Sequence, residues 1–157
     1  MKILFSDADI IVVDKPGGLL AVPGRGPAKQ DCVVSRTRRL FPDLPVQPAV
    51  HRLDMYTSGI MVLARNKEAH RHLVRQFENR EVEKKYVALL EGSIVQDQGR
   101  IELKFRLDIN NRPYQVYDPV HGKTGITLWQ KTATENQRTR VLFTPLTGRT
   151  HQLRLHA

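Results

Sequence analysis

The sequence predicts an α+β fold in which mostly antiparallel strands are flanked by two main helices. In two segments the apolar residues recur with a spacing of about four, which is typical of one face of a helix. In several other segments they alternate with polar residues or form short continuous runs, which is typical of strands. The strand patterns fill the second half of the chain and predict a meander-like sheet there.

The first half of the chain contains two predicted strands. The β-branched run at 10–13 predicts the first, and Pro-Gly-Gly at 16–18 predicts a turn after it, because proline presets one dihedral angle and glycine accepts a positive φ. The continuous apolar run at 60–64 predicts a buried strand. The polar stretch at 51–59, HRLDMYTSG, is therefore expected to be the loop that leads into a core strand.

Two helices are predicted, each preceded by a residue suited to its N-cap. Asp31 begins a short segment that ends before Pro42, and Asn66 precedes a longer segment over 67–81. Each helix has an apolar and a basic face. The apolar faces carry Val33, Thr37 and Leu40 in the first helix, and Ala69, Leu73 and Phe77 in the second. The basic residues are Arg36, Arg38 and Arg39 in the first helix, and Arg71 and Arg75 in the second.

Strand patterns continue through the second half of the chain. They cover 84–92, 100–107, 126–135, 139–146 and 150–157. A hairpin is predicted around Asn136 and Gln137. In the last segment the two leucines are expected on one side of the strand and the polar residues, including Arg154, on the other. A sheet can bring the polar clusters at 51–59 and 147–156 together.

Length and composition favour one folded domain, 1–157, that binds a polyanion. The chain has 157 residues, of which 40% are hydrophobic and 26% charged, and it can bury a real core. Twenty-five Lys and Arg residues against 16 Asp and Glu residues give a net charge of +9. Nucleic acid is the commonest partner of so basic a domain. Charge that serves only solubility is the alternative interpretation.

The compartment follows from one cysteine and from the N-terminal pattern. Cys32 is the single cysteine, so an internal disulfide is excluded and a buried free thiol is expected. Asp7, Asp9 and Asp14 interrupt the N-terminal apolar stretch, so no signal peptide is expected. No apolar run has the length of a membrane span. We therefore expect a cytoplasmic protein that does not bind membranes. We also expect a monomer.

Several kinds of active site are disfavoured by the residue patterns. The chain has no glycine-rich phosphate loop with the Walker spacing. Its six histidines include no His-Glu-x-x-His helix, so no metal site is expected. Ser58 lacks the first glycine of a nucleophile elbow, and Cys32 lies within a helix pattern.

Asp54 is the remaining candidate for a reactive group. It lies between apolar residues at the mouth of a predicted buried strand, in a protein suited to a polyanion. Arg154, in the cluster at 147–156, is a cation that could pair with it and keep it ionised, as a nucleophile or base requires. A surface ion pair with Arg52 or Arg65, or a turn stabilised by the aspartate side chain, is the structural alternative.

Four segments in the same order resemble the RluA family of RNA pseudouridine synthases, in the branch without an S4 domain. The most specific is HRLDMYTSGIMVLARN at 51–66, which is similar to the signature around the family's catalytic aspartate. The others are DKPGGLLAVPGR at 14–25, KKYVALLEG at 84–92 and TGRTHQLRLH at 147–156. Together they span nearly the whole chain, and the resemblance implies the pseudouridine synthase catalytic fold.

The resemblance implies an isomerase that needs no cofactor and converts specific uridines of ribosomal RNA or of tRNA anticodon arms to pseudouridine. Asp54 matches the catalytic aspartate, which attacks either the sugar carbon or the ring. Tyr86 matches a tyrosine that stacks on the target base and is implicated in proton transfer. Arg154 matches the basic residue that pairs with the aspartate, and Arg52 an arginine associated with the place that the flipped nucleotide vacates.

Further RNA-contacting residues and two rival functions complete the sequence predictions. His51, Thr57 and Ser58 are expected mainly to shape the loop around Asp54. Basic residues expected at the RNA are Arg149, Arg71 and Arg75. A protein that binds RNA without turnover and a generic basic nucleic-acid binder are the rival functions.

The last segment leads to an expectation about chain length. The strand pattern at 150–157 continues to Ala157 without a glycine, a proline or a capping residue. The family resemblance implies further segments after the basic motif. We therefore expect a truncated catalytic domain with an exposed strand edge or apolar patch near 151–157.

Overall fold

The computed structural model describes residues 1–157, which fold as an α+β protein with two antiparallel sheets. The chain divides into two compact units, residues 1–81 and residues 82–157. Each unit is built on one of the two sheets. The α+β class and the dominance of antiparallel pairing are confirmed. The single domain stays a prediction from chain length.

The first unit is organised by a three-stranded sheet with the order β1-β2-β3. Its strands are β1 (Lys2–Ser6), β2 (Ile10–Lys15) and β3 (Gly59–Ala64), and both pairings are antiparallel. The predicted strands at 10–13 and 60–64 are confirmed. Strand β1 was not predicted from the sequence. It pairs with β2 at the edge of the sheet and is mostly exposed, and its residues do not show the apolar–polar alternation of a half-buried strand.

Two helices flank the sheet of the first unit. Helix α1 (Val33–Leu40) differs from its prediction in two details. Its N-cap is Cys32, whose buried sulfur accepts a hydrogen bond from the Ser35 amide; Asp31 is instead paired with Arg36. Leu40 was expected on the apolar face but is mostly exposed, because it lies at the last position of the helix, where the chain turns away.

Helix α2 (Lys67–Glu78) begins at its predicted cap. The side-chain oxygen of Asn66 accepts a hydrogen bond from the Ala69 amide at 2.8 Å. The helix ends three residues before the predicted boundary, and Arg80 then adopts a positive φ of 64°. The predicted apolar face is half-buried rather than fully buried.

The second unit is a five-stranded sheet with the order β4-β8-β7-β5-β6, in which all pairings are antiparallel. The strands are β4 (Tyr86–Glu91), β5 (Gln98–Leu107), β6 (Gln115–Tyr117), β7 (Lys123–Glu135) and β8 (Arg138–Pro145). The hairpin around Asn136 and Gln137 is confirmed, and both residues have positive φ. Phe105, Val141 and Phe143 form part of its core.

The strand predicted at 150–157 is wrong. Residues Gln152–His156 form a short helix, α3, after His151 adopts a left-handed backbone with φ of 56°. The two buried residues of this segment are Gln152 and His156, four positions apart, whereas the leucines between them are only half-buried. A helical turn puts both polar side chains against strand β7, where they find hydrogen-bond partners that an extended chain would not offer to both. The expected exposed strand edge therefore does not form.

Two further observations concern the whole chain. The clusters at 51–59 and 147–156 adjoin different sheets, so the expectation that one sheet joins them is wrong. None of the three α-helices has the length and apolar character needed to cross a membrane.

Candidate active site

Asp54 lies in a tight turn that leads into strand β3. The Thr57 amide donates a hydrogen bond to the Asp54 carbonyl oxygen at 3.0 Å, which closes the turn over Met55 and Tyr56. Leu53 is buried beside the turn, Asp54 is half-buried, and Tyr56 is exposed at the tip. The turn therefore anchors the backbone of the aspartate while leaving its outer residues open to solvent.

The buried ammonium group of Lys15 holds this turn in place. The side chain is fully buried, and Nζ donates to three carbonyl oxygens: Leu19 at 2.7 Å, Pro16 at 2.9 Å and Met55 at 3.0 Å. The Gly18 amide donates to the same Met55 oxygen at 2.9 Å. Three acceptors match the three donors of a protonated lysine, so the cation is satisfied without leaving the interior.

Lys15 also interacts electrostatically with Asp54. Burial lowers the pKa of the Lys15 ammonium, and the negative charge of Asp54 acts in the opposite direction. The sequence reasoning missed this cation. Its signal is the alternation of strand β2, in which Lys15 occupies the same buried side as Ile11 and Val13. A lysine in that position must be satisfied internally.

His51 links the start of the loop to the strand and helix that follow it. Its Nε2 accepts a hydrogen bond from the Val62 amide at 3.0 Å. Its ring stacks on Phe77 of helix α2, with centroids 4.8 Å apart and planes 20° from parallel. Because Nε2 is the acceptor, the ring is unprotonated at that nitrogen. These contacts support the loop-shaping role that was predicted for His51.

The other predicted residues of the first unit are distributed around this loop and helix α2. Arg52 and Ser58 are exposed and Thr57 is half-buried. Arg71 and Arg75 are exposed on helix α2, which carries the Phe77 ring against His51. Helix α2 therefore carries both its basic stripe, Arg71 and Arg75, and the Phe77 ring that contacts His51 at the start of the Asp54 loop.

Tyr86 is the first residue of the edge strand β4 and lies opposite Phe143 of strand β8. Phe143 in turn lies opposite Trp129 of strand β7, which lies opposite Gly99 of strand β5. This row shares one face of the sheet, because cross-strand partners point the same way. Gly99 is required there, since a Cβ atom at that position would lie 2.6 Å from the Trp129 indole nitrogen. Tyr86 is half-buried at the open end of this aromatic row.

The two predicted arginines of the last motif lie on one compact segment of the second unit. Arg149 and Arg154 are both exposed. The Arg149 amide donates to Gln152 Oε1 at 3.1 Å, and its guanidinium Nε donates to the Thr124 carbonyl oxygen at 3.2 Å. Arg154 lies in α3 between the buried residues Gln152 and His156. Gln152 was not predicted as a site residue.

The candidate residues therefore form two groups, each organised within its own unit. The Asp54 turn, Lys15, His51 and the basic stripe of α2 belong to residues 1–81, and Tyr86, Arg149 and Arg154 belong to residues 82–157. The ion pair between Asp54 and Arg154 stays a prediction.

Comparison with known proteins places these residues in a family. The sequence profile of the RNA pseudouridylate synthase family matches residues 9–157. The chain belongs to the RNA pseudouridylate synthase family. The match includes all ten candidate residues and Lys15.

Curated relatives of this synthase family extend the comparison along the whole chain. The dual-specificity RNA pseudouridine synthase RluA of Yersinia pestis is 45% identical over 157 residues, which are 99% of this chain and 75% of that protein. RluA of Haemophilus influenzae is 46% identical over 157 residues, which are 99% of this chain and 70% of that protein. RluA of Escherichia coli is 44% identical over 158 residues, with 99% and 70% covered.

Solved structures of this synthase family share the fold. The human RNA pseudouridylate synthase domain containing 1 matches with a TM-score of 0.79 and 29% identity, over 99% of this chain and 63% of that one. The human RNA pseudouridylate synthase domain containing 4 matches with a TM-score of 0.76 and 26% identity, over 99% and 62%. The chain thus spans less than two thirds of the length of these two structures.

Proposed function

We propose that this protein converts specific uridines in structured RNA to pseudouridines. The observation that carries the proposal is the Asp54 turn: the aspartate of the family-like segment is fixed by the backbone and by a buried lysine, next to exposed residues. Membership of the RNA pseudouridylate synthase family supports the reaction class. Similar proteins named as dual-specificity RNA pseudouridine synthases support action on more than one RNA. Ribosomal RNA and tRNA anticodon arms are the substrate classes that we propose.

The reaction moves one bond and retains the atoms of the base. The N1–C1′ bond of the uridine breaks, the base turns, and a C5–C1′ bond forms. The hydrogen on C5 leaves as a proton, and N1 ends with a proton. Asp54 acts in its carboxylate form, as the attacking group at the sugar or at the ring, since either attack uses the same oxygen nucleophile.

Base flipping assigns roles to the neighbouring residues. A stacked uridine must be extruded, which costs a few kcal/mol. An aromatic ring that stacks on a base recovers about 1–3 kcal/mol, and Tyr86 is the residue proposed for this stacking and for proton transfer. Arg154 pairs with Asp54, and Arg52 occupies the place that the flipped base leaves.

The remaining candidates act on the RNA backbone or on the loop. His51, Thr57 and Ser58 hold the Asp54 loop in shape. Phosphate contacts come from exposed arginines, whose binding releases counterions from the RNA. They are Arg149, Arg71 and Arg75. The reaction is proposed to need no cofactor and to take place in the cytoplasm, on a monomeric protein.

The experiment is a tritium-release assay with RNA labelled at C5 of uridine. The wild-type chain is incubated with transcripts of an anticodon stem-loop and of a ribosomal RNA fragment, and released tritium is counted. Release from either transcript, together with a pseudouridine mapped at one position, is the expected result. If both RNAs bind but neither loses tritium, the protein is an RNA binder without turnover and the proposal is wrong.

A further inference from the structure

A buried chain of hydrogen bonds lies beneath the segment that carries Arg149 and Arg154. Gln152 is at its centre and is 4% exposed. Its Oε1 accepts hydrogen bonds from the Thr147 hydroxyl at 2.7 Å and from the Arg149 amide at 3.1 Å. Its Nε2 donates to the Ile126 carbonyl oxygen at 3.0 Å and to the Thr127 hydroxyl at 2.9 Å. The amide thus joins the turn at 147–149 to strand β7.

The directions of these bonds are set by the donors available. Both protons of the Gln152 amide nitrogen are used, and one is accepted by the Thr127 oxygen. The hydroxyl proton of Thr127 has one acceptor within reach, the imidazole Nδ1 of His156, 2.9 Å away. We therefore assign His156 as the acceptor at Nδ1, with its proton at Nε2, because the opposite assignment would leave the buried hydroxyl proton without an acceptor. That Nε2 is buried without a hydrogen-bond partner, so the tautomer depends on the contact with Thr127.

The helical geometry separates this network from the arginine. Gln152 and His156 are four residues apart, so they lie on one face of α3, against strand β7. Arg154 is two residues from each and lies on the opposite, exposed face. Because both faces belong to the same short helix, the hydrogen bonds that fix its inner face also restrict the orientation of Arg154 on its outer face.

Strand β7 is shaped to receive the amide. Gly125 lies beside it, and a Cβ atom there would be 3.3 Å from Gln152 Cδ and 2.5 Å from the Phe105 ring. The Phe105 and His156 rings form a T-shaped pair, with centroids 5.9 Å apart. The absence of a side chain at Gly125 lets the ring and the amide approach the strand together.

We infer that Gln152 is a positioning residue for Arg154 and Arg149, and that the chain Thr147–Gln152–Thr127–His156 fixes the base from which both arginines reach the RNA. The inference rests on the proposed function for what the arginines do. The positioning itself is a property of the free protein.

The first experiment substitutes Gln152→Met, which keeps the length of the side chain and removes all four of its hydrogen bonds. A misplacement of about 1 Å can cost on the order of a hundredfold in rate. We expect kcat to fall tenfold to a hundredfold, with a smaller change in KM. In the free protein, amide hydrogen exchange at Leu155 and Ala157, which donate to His151 and Leu153 within α3, should accelerate.

The second experiment uses a matched pair of buried threonines. Thr127→Val removes the hydroxyl that joins Gln152 to His156. Thr139→Val removes a hydroxyl that is equally buried in strand β8, where it donates to Gly92 and accepts from Ile94. Both variants should lose similar stability, but only Thr127→Val should lower kcat and move the ¹⁵N shifts of His156 away from the Nε2–H tautomer.

The outcomes separate this inference from the proposed function. Exchange rates and the tautomer are measured without RNA, so they remain decisive if the wild-type chain shows no turnover. Unchanged exchange in Gln152→Met, or equal effects of Thr127→Val and Thr139→Val on kcat, would overturn the positioning role. If Gln152→Met does not fold, the threonine pair alone decides.

Discussion

The Lys15 ammonium group donates a hydrogen bond to the carbonyl oxygen of Met55 at 3.0 Å, although 40 positions separate the two residues. The contact joins the end of strand β2 to the turn that carries Asp54. It brings a buried positive charge into the electrostatic environment of the aspartate. Two of the family-like segments, 14–25 and 51–66, are thus parts of one local structure.

Replacing Lys15 with methionine should destabilise the protein by about 2–4 kcal/mol, because buried carbonyl oxygens lose their donor. Chemical denaturation measures this change. Lys29→Met is the matched control, since Lys29 is exposed and the same substitution there should change stability little. Equal stability of the two variants would contradict the anchoring role of Lys15.

Replacing Asp54 with asparagine should abolish pseudouridine formation and leave RNA affinity largely unchanged. The amide keeps the shape of the side chain but is a poor nucleophile and a poor base. Tritium release and a binding titration measure the two properties. Asp43→Asn is the control, because Asp43 forms an exposed ion pair with Arg65. Turnover near the wild-type rate in Asp54→Asn would remove Asp54 from the mechanism.

RNA binding should weaken steeply as salt concentration rises, because the net charge of +9 implies several phosphate contacts. Arg71→Gln and Arg75→Gln should each reduce the slope of log K against log salt by about 0.7–0.9. Arg100→Gln serves for comparison, since Arg100 is already paired with Glu102. A slope that does not change in either helix variant would exclude α2 from the RNA interface.

Stability should decrease as the pH falls below about 6.5. Burial lowers the pKa of His156, so the unfolded chain binds a proton at a higher pH than the folded protein does. The free energy of unfolding therefore falls on acidification, by at most about 1.4 kcal/mol per pH unit for this one proton. His156→Gln should flatten the curve below about pH 6.5. His121→Gln, at an exposed histidine, should leave it unchanged; the same slope in both variants would argue against His156.

Much of the local structure could be predicted from the sequence because it depends on nearby residues. The β-branched and apolar runs form strands β2 and β3. Asn66 caps helix α2 because its side chain accepts a hydrogen bond from the amide of Ala69, three residues along the chain. The hairpin between β7 and β8 turns at the predicted pair of residues. Asp54 was selected as the reactive candidate from its place in a polar loop before a core strand, and the structure puts it in an anchored turn there.

Other features depended on partners that are distant in the sequence. The segment 150–157 has a two-residue alternation, yet it forms α3, because the hydrogen bonds of Gln152 and His156 to strand β7 favour a helical turn over an extended chain. The alternation of strand β2 indicates the burial of Lys15, but only the structure shows that the Leu19, Pro16 and Met55 carbonyl oxygens accept its hydrogen bonds. The sequence by itself determined the fold class, the family and the candidate aspartate, since these follow from local pattern and motif. Only the tertiary structure decided how that aspartate and Arg154 are held, because buried polar groups take their partners from wherever the fold brings them.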